Sequence, residues 1–491
     1  MLEVSDPVAT VHGDDVLATS EAGPAAARGG VLRVGGFALG AALSIVSAAL
    51  LFRQLGVRDS GRYVTATTIV ALFGGLTDAG LWSIAVRELS AGAGESSRTV
   101  MRDIVGLRLV LSTIAAIAAI AFTALAGYAT VLVIGVAVCA LAMILQNVQL
   151  TWSAALVARL RFGWVTGLDL LRQVVMVAGI VGLALAGAGL LPFLLLAVPT
   201  AVVALVPTAI LVRRQAPLWP RFDAAVWRRL LRDVLPFAAA TAAGALYFSV
   251  SLILMSLISD DQQTGYFGAS FRVIVVLFAL PGLIVGSALP IFARAAAGDR
   301  ARLRFAVQRV VDTTTIFGTI VVLGIFVGAA DVIAIVAGPE FAPAAAVLQI
   351  HCLGLLGSFV TAVLIYALLS LGRQRAILLL TCGPLVINVV LTVALAPAYG
   401  AQGAATATAI GELTLAVAAA IVLGRAMAPQ QIALTPIVRS IALAIPCAAL
   451  ALVGGVPPLV LAVLAVALYV AAVWALGWLP KDLLKDLRSP A

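Results

Sequence analysis

From Ile104 to Ala126 the chain reads IVGLRLVLSTIAAIAAIAFTALA, and past Gly127 it runs from Tyr128 to Leu150 as YATVLVIGVAVCALAMILQNVQL. The first run holds one charged residue, Arg108, and the second holds none. A hydrocarbon core about 30 Å thick needs roughly 20 apolar residues of helix, so each run is long enough to cross a bilayer. The apolar residues are continuous. A membrane barrel would alternate apolar and polar residues in segments of about ten.

The same pattern fills the chain in both directions. Fourteen such runs occur, at approximately 31–52, 64–86, 104–126, 128–150, 165–187, 189–212, 234–257, 264–293, 310–337, 346–370, 376–397, 401–424, 437–455 and 458–478. The 491 residues are 63% hydrophobic and 11% charged, whereas a soluble domain is roughly half apolar and about a quarter charged. There is too little polar surface to cover soluble globules, so the fold class is an all-α membrane protein of about fourteen transmembrane helices. Cys139, Cys352, Cys382 and Cys447 lie far apart inside apolar runs, and His12 and His351 cannot form a cluster. No disulfide framework, metal site or cofactor is expected from them.

Charge placement orients the spans. With the N-terminus inside, the cytoplasmic segments hold 25 of the 31 Lys and Arg. Three (Arg53, Arg58, Arg62) fall on the outside, and three (Arg108, Arg172, Arg272) fall within spans. This split satisfies the positive-inside rule and puts both termini in the cytoplasm. The net charge of +9 then reflects topology and anionic headgroups, with no need for a nucleic-acid partner.

Residues 1–30 are polar, acidic and rich in Ala and Gly, which reads as a disordered cytoplasmic tail, and 479–491 reads as a second tail. Segment 213–233 has the composition of an interfacial linker: continued to Val234, it puts Trp227, Leu230, Leu231 and Val234 on one face and Arg228, Arg229 and Arg232 near the other. Gly61-Arg62-Tyr63 opens the second run and Gly265-Tyr266-Phe267 opens the eighth, six spans later. An even spacing gives both copies one orientation. Two six-helix lobes in parallel pseudo-repeat follow, 31–212 and 234–424, with a central cavity between them. The last two spans, 425–478, fall outside the repeat.

Arg53-Gln54-Leu55-Gly56, Ser60-Gly61-Arg62-Tyr63, Asp78-Ala79-Gly80-Leu81 and Val86-Arg87-Glu88-Leu89 resemble the opening of the O-antigen type polysaccharide flippases. That family belongs to the multidrug/oligosaccharidyl-lipid/polysaccharide superfamily. Leu235-Pro236-Phe237, Leu246-Tyr247-Phe248, Gly265-Tyr266 through Arg272, Asn388 and Tyr399-Gly400-Ala401-Gln402-Gly403 continue the likeness in order, from about residue 31 to 425. The chain departs from the family at Ser249-Val250-Ser251, where family members often carry charge. The resemblance implies a carrier whose partners are a lipid-linked glycan, membrane lipids and other polysaccharide assembly proteins.

A charge at the centre of a membrane helix costs roughly 2.5–3.5 kcal/mol on insertion scales, so each needs a reason. Counted at about 1.5 Å per residue, Arg272 lies near mid-depth, suited to bind phosphate oxygens or to pair with an acid on a neighbouring helix. Arg172 sits at similar depth, with Asp169 one turn earlier offering an intrahelical partner. Arg108, nearer the inner interface, can bind cargo or snorkel. Glu412 is expected to pair with Arg272, with a coupling proton or cation as the alternative. Asp78 is an ion or packing candidate. Asn147, Gln146, Gln149, His351 and Gln349 can line a polar cavity or hydrogen-bond between helices. Pro199, Pro207, Pro281 and Pro290 are expected to bend their helices.

The expected activity is translocation of a polyprenyl-(pyro)phosphate-linked oligosaccharide across the cytoplasmic membrane by alternating access, for cell-surface polysaccharide. The rivals are a cation-coupled drug exporter of the same superfamily and a lipid-linked peptidoglycan precursor flippase. A membrane glycosyltransferase, suggested by Asp260-Asp261, is disfavoured because their loop is only a few residues long.

Overall fold

The computed structural model describes residues 22–78, 80–91, 95–214, 216–286, 288–298, 300–427 and 433–478. Among them there is no strand. The helices are α1 (Ala22–Asp78), α2 (Leu81–Ala91), α3 (Glu95–Leu125), α4 (Thr130–Ala158), α5 (Phe162–Leu185), α6 (Leu190–Leu195), α7 (Ala197–Val212), α8 (Ala224–Ile258), α9 (Asp261–Gly286), α10 (Leu289–Gly298), α11 (Arg300–Val336), α12 (Ala344–Ser370), α13 (Gln374–Ala426), α14 (Thr435–Ala448) and α15 (Pro458–Ala475).

Two of them are far too long for one crossing. α1 has 57 residues and α13 has 53, each about 80 Å or more at 1.5 Å per residue. Both bend at a glycine in the left-handed region, Gly56 (φ 68°) and Gly400 (φ 55°), a conformation only glycine takes without steric cost. The bends fall between the first and second sequence runs and between the eleventh and twelfth. Among the described residues, ten helices are individually long and apolar enough to cross a membrane, and a bent pair, Ala42–Thr77 with Leu81–Ser90, makes eleven. The sequence's fourteen differs by dividing α1 and α13 at their bends and by counting the shorter apolar helix Ala242–Ile258 as a crossing.

Five sequence boundaries move. The second run is not straight: α1 ends at Asp78, Gly80 takes φ 72°, and α2 leaves at 46°. The sixth run breaks at Leu196 between α6 and α7, because Pro199 cannot donate to Leu195 four residues back and its ring crowds that carbonyl. Pro290 acts likewise on Gly286, where α9 stops before α10 begins. The linker is not a separate interfacial element at its C-terminal half. α8 runs unbroken from Ala224 through 233 and 234 into the seventh span, started by Asp223, whose carboxylate accepts from the amides of Ala225 (3.0 Å) and Val226 (3.3 Å), an N-cap. Trp227, Leu230 and Leu231 pack on the protein while Arg228, Arg229 and Arg232 face out. Residues 22–30, expected in the tail, belong to α1; residues 1–21 and 479–491 lie outside the described residues.

Lipid tails are as apolar as leucine, so helices associate through close packing and interhelical hydrogen bonds. α3, α4, α6 and the second arm of α1 share one core around Ile69, Ala119, Val136 and Leu194. α9, α11, α12 and α13 share another around Phe267, Phe359 and Ala404. α14 and α15 pack on α11, tied by Thr319 Oγ1 to Ser440 Oγ (3.0 Å) and Ser440 Oγ to Tyr469 OH (2.6 Å). The two copies of the weak repeat meet face to face: a Cβ on Gly61 of α1 would fall 2.9 Å from the Gly265 amide nitrogen of α9.

Candidate functional site

Where α1, α4, α5, α7 and α9 converge they enclose a cavity of about 540 Å³. α1 supplies Ser44, Ser47, Thr67 and Thr68; α4 supplies Gln146, α5 Arg172 and Gln173, α7 Thr200, and α9 Arg272. Hydroxyls and amides are neutral hydrogen-bonding groups. Among the described residues, no Asp or Glu lines the cavity.

The two arginines come from different lobes, Arg172 from α5 and Arg272 from α9. Arg272 Nη2 donates to Ser44 Oγ at 2.8 Å, and Arg172 Nη1 donates to Gln146 Oε1 at 3.4 Å. Neither makes an ion pair among the described residues. A guanidinium carries five donors in a planar fork, so one neutral acceptor leaves most of each fork available to an anion. Asp169 is not among the lining residues.

The expected pairing of Glu412 with Arg272 does not occur. Glu412, 4% exposed, lies inside the C-terminal lobe against Gly354 and Gly357 of α12, where a Cβ on Gly354 would sit 3.5 Å from its Cβ and Cγ. Arg272 instead turns to Ser44, because α9 presents that face to α1. Beside Glu412, Asn388 Oδ1 accepts from Ser251 (3.0 Å) and Thr392 (3.1 Å), and Thr408 donates to Ser251 (3.2 Å). The Tyr247 hydroxyl faces the Glu412 carboxylate, and the Asn388 amide nitrogen is buried without a hydrogen-bond partner.

Arg108 and Asn147, expected to face cargo, are not in the cavity. Arg108 is 1% exposed. Its Nη1 donates to the Thr77 carbonyl (3.3 Å) and its Nη2 to Asn147 Oδ1 (3.1 Å). Asn147 Nδ2 donates in turn to Thr77 Oγ1 (3.2 Å) and Ser112 Oγ (2.9 Å). The end of a helix leaves carbonyls without intrahelical donors, and α1 ends next to Thr77, so this network closes a broken helix. The Asp78 side chain lies outside the described residues.

Of the five polar candidates, Gln146 alone lines the cavity. Gln149 donates to Thr208 (3.2 Å) and Gln349 to the Phe326 carbonyl (3.1 Å). His351 is stacked on Phe267 (5.2 Å) and contacts Ser270 through Nδ1 (3.2 Å) in the C-terminal core. Ser44 and Gln173 were not legible as site residues. Serine is common in membrane helices, although Gln173 adjoins Arg172 and a polar pair in an apolar run is a usable signal.

The family model described as polysaccharide biosynthesis protein matches residues 50–346, well over half of the chain. No curated protein matches it in sequence. Among solved structures, lipid II flippase MurJ in an inward closed conformation is similar at 13% identity and TM-score 0.74, covering 92% of this chain and 100% of that one. An inward-facing multidrug resistance MATE family transporter of the MOP superfamily aligns at 14% identity and TM-score 0.62, over 79% of this chain and 94% of that one. An outward-facing one reaches 0.54 at 14% identity, over 81% and 96%. The fold is that of MOP superfamily transporters.

Proposed function

Because this multi-pass membrane chain belongs to the polysaccharide biosynthesis protein family, we propose that it moves a polyprenyl-(pyro)phosphate-linked oligosaccharide from the inner to the outer leaflet. The observation that carries this reading is the presence of Arg172 and Arg272, from opposite lobes, in one cavity that no carboxylate lines among the described residues. Phosphates and sugars cannot cross hydrocarbon unaided. Two guanidinium forks replace the water around the phosphate oxygens, and Thr67, Thr68, Gln146 and Gln173 offer hydrogen bonds to sugar hydroxyls while the prenyl chain stays in lipid. Anchored on both lobes, the phosphate couples binding to their relative motion. In this reading both termini are cytoplasmic, the arginine-rich connections meet anionic headgroups, and the end carrying Gly56, Asp261 and Gly400 faces outward. The membrane is the cytoplasmic one.

Glu412 supports a place for a driving ion. A membrane carboxyl with no cationic partner among the described residues, facing the Tyr247 hydroxyl and near the unpaired Asn388 amide nitrogen, can gain or lose a proton or hold a cation. The same feature favours the cation-coupled drug exporter as the second reading, but that transporter has no use for a cavity bearing two arginines and, among the described residues, no acid.

The test is transfer in proteoliposomes. A labelled polyprenyl-pyrophosphate oligosaccharide is placed on one leaflet, and an impermeant modifying enzyme reports its arrival on the other. Transfer above empty liposomes, lost in Arg272→Ala, is the expected result. Transport of a cationic dye down an ion gradient, with no glycan transfer, gives the case to the exporter.

A further inference from the structure

Three arginines break the charge rule that the other connections obey. Arg53, Arg58 and Arg62 occupy the connection after the first span, on the side where the positive-inside rule disfavours them. All three reach from α1 to the opposite lobe. Arg62 Nε donates to Asp261 Oδ2 at 2.8 Å, and Arg58 Nε lies 3.6 Å from the same oxygen. Arg53 Nη2 donates to the carbonyls of Ala334 and Ile335, both at 3.1 Å, in the last turn of α11. The Ala334 carbonyl also accepts from the Gly338 amide (3.1 Å), and the turn carries the negative end of the helix dipole, so the cation caps a helix of the other lobe.

The backbones close the same seam. A Cβ on Gly61 would fall 2.1 Å from the Asp261 carbonyl oxygen, and one on Gly265 would fall 2.3 Å from that of Val57. Glycine is required there because the two helices touch through their main chains. One layer further in, Phe341 lies 5.5 Å from Phe52 and 6.4 Å from Tyr266, an aromatic cluster shared between lobes.

We propose that Arg53, Arg58 and Arg62, with Asp261 and the carboxyl end of α11, form a latch that holds the outer mouth of the cavity shut. These bonds are made only while the lobes touch, so they stabilise the state closed to the outside and are given up when it opens. Asp59, 3.1 Å from Arg62 Nη1 within α1, keeps that guanidinium partnered after release and limits the cost of opening. The latch rests on the two-lobe carrier reading, not on the identity of the cargo.

The test needs no glycan. Thr67, which lines the cavity, is replaced by cysteine in a background where Cys139 and Cys382 carry Ala and Ser. An impermeant maleimide is added outside right-side-out vesicles and the labelling rate is measured. Asp261→Asn combined with Arg53→Ala should raise that rate about tenfold, the response to removing bonds present in one state only. Asp261→Glu, which keeps the charge, should stay within about threefold of the parent. Gly61→Leu, which wedges the seam, should raise the rate without touching a charge. If the asparagine variant misfolds, Arg58→Ala with Arg62→Ala removes the same ion pairs from the other side. An unchanged rate in folded Asp261→Asn/Arg53→Ala or Arg58→Ala/Arg62→Ala protein overturns the latch. Faster labelling, together with no glycan transfer by the protein that keeps Thr67, would keep the latch and discard the cargo.

Discussion

Arg108 and Arg272 are the same residue placed in the same solvent, and their surroundings give them opposite uses. Arg108 is buried among the Thr77 carbonyl, Asn147 and, through Asn147, Ser112. Arg272 faces a cavity with one serine hydroxyl as its hydrogen-bond partner. A membrane charge enclosed by its protein partners is part of the scaffold; one that opens on a cavity with donors left over is available to a ligand. The price of insertion is alike for both, so cost does not separate them. Enclosure does: Arg108 is 1% exposed among its partners, whereas Arg272 opens on the cavity.

The contrast can be broken in four places, from the largest effect to the smallest. Arg272→Ala should lower glycan transfer by about a hundredfold with the fold intact, since charged hydrogen bonds contribute roughly 1.5–3 kcal/mol each and the fork makes several to a phosphate. Arg172→Ala should lower it about tenfold by the same arithmetic with fewer bonds; lysine at either position should recover part of the loss, having charge without the planar fork. Arg108→Met should act on stability instead: stranding the Thr77 carbonyl and Asn147 Oδ1 costs about 2 kcal/mol, visible as a fall in thermal unfolding temperature in detergent. Ser44→Ala should change transfer by about threefold or less, because it removes only a neutral partner of Arg272; a loss as large as that of Arg272→Ala would mean that Ser44, not the phosphate, sets the arginine's role.

Much of the fold was legible because hydropathy and charge act locally. The apolar runs and the breaks between the first and second and the eleventh and twelfth follow from span length and from where runs stop, although the glycine bends at Gly56 and Gly400 were not read from the sequence. Proline chemistry made the interruption at Leu196 readable in principle. The site was legible only as depth. Counting residues from a span's end puts Arg108, Arg172, Arg272 and Glu412 within the membrane, but says nothing of azimuth, and azimuth decides which neighbour a side chain meets. Glu412 was therefore matched to Arg272 by depth, while the packing of α12 and α8 around it holds it in the C-terminal lobe. The linker misled for a related reason: an amphipathic face rimmed with arginine suits a leaflet or a protein surface equally, and Trp227 Nε1 donates to the Asp103 carbonyl at 3.0 Å.

The central claim is that the cavity arginines, and not the buried network, hold the phosphates. Its most direct test is the affinity of purified protein for a short-chain polyprenyl pyrophosphate, comparing Arg272→Ala with Asn147→Ala. Binding weakened by about tenfold or more in the first and unchanged in the second is the predicted result. Equal affinity in both, or a loss confined to Asn147→Ala, would contradict it.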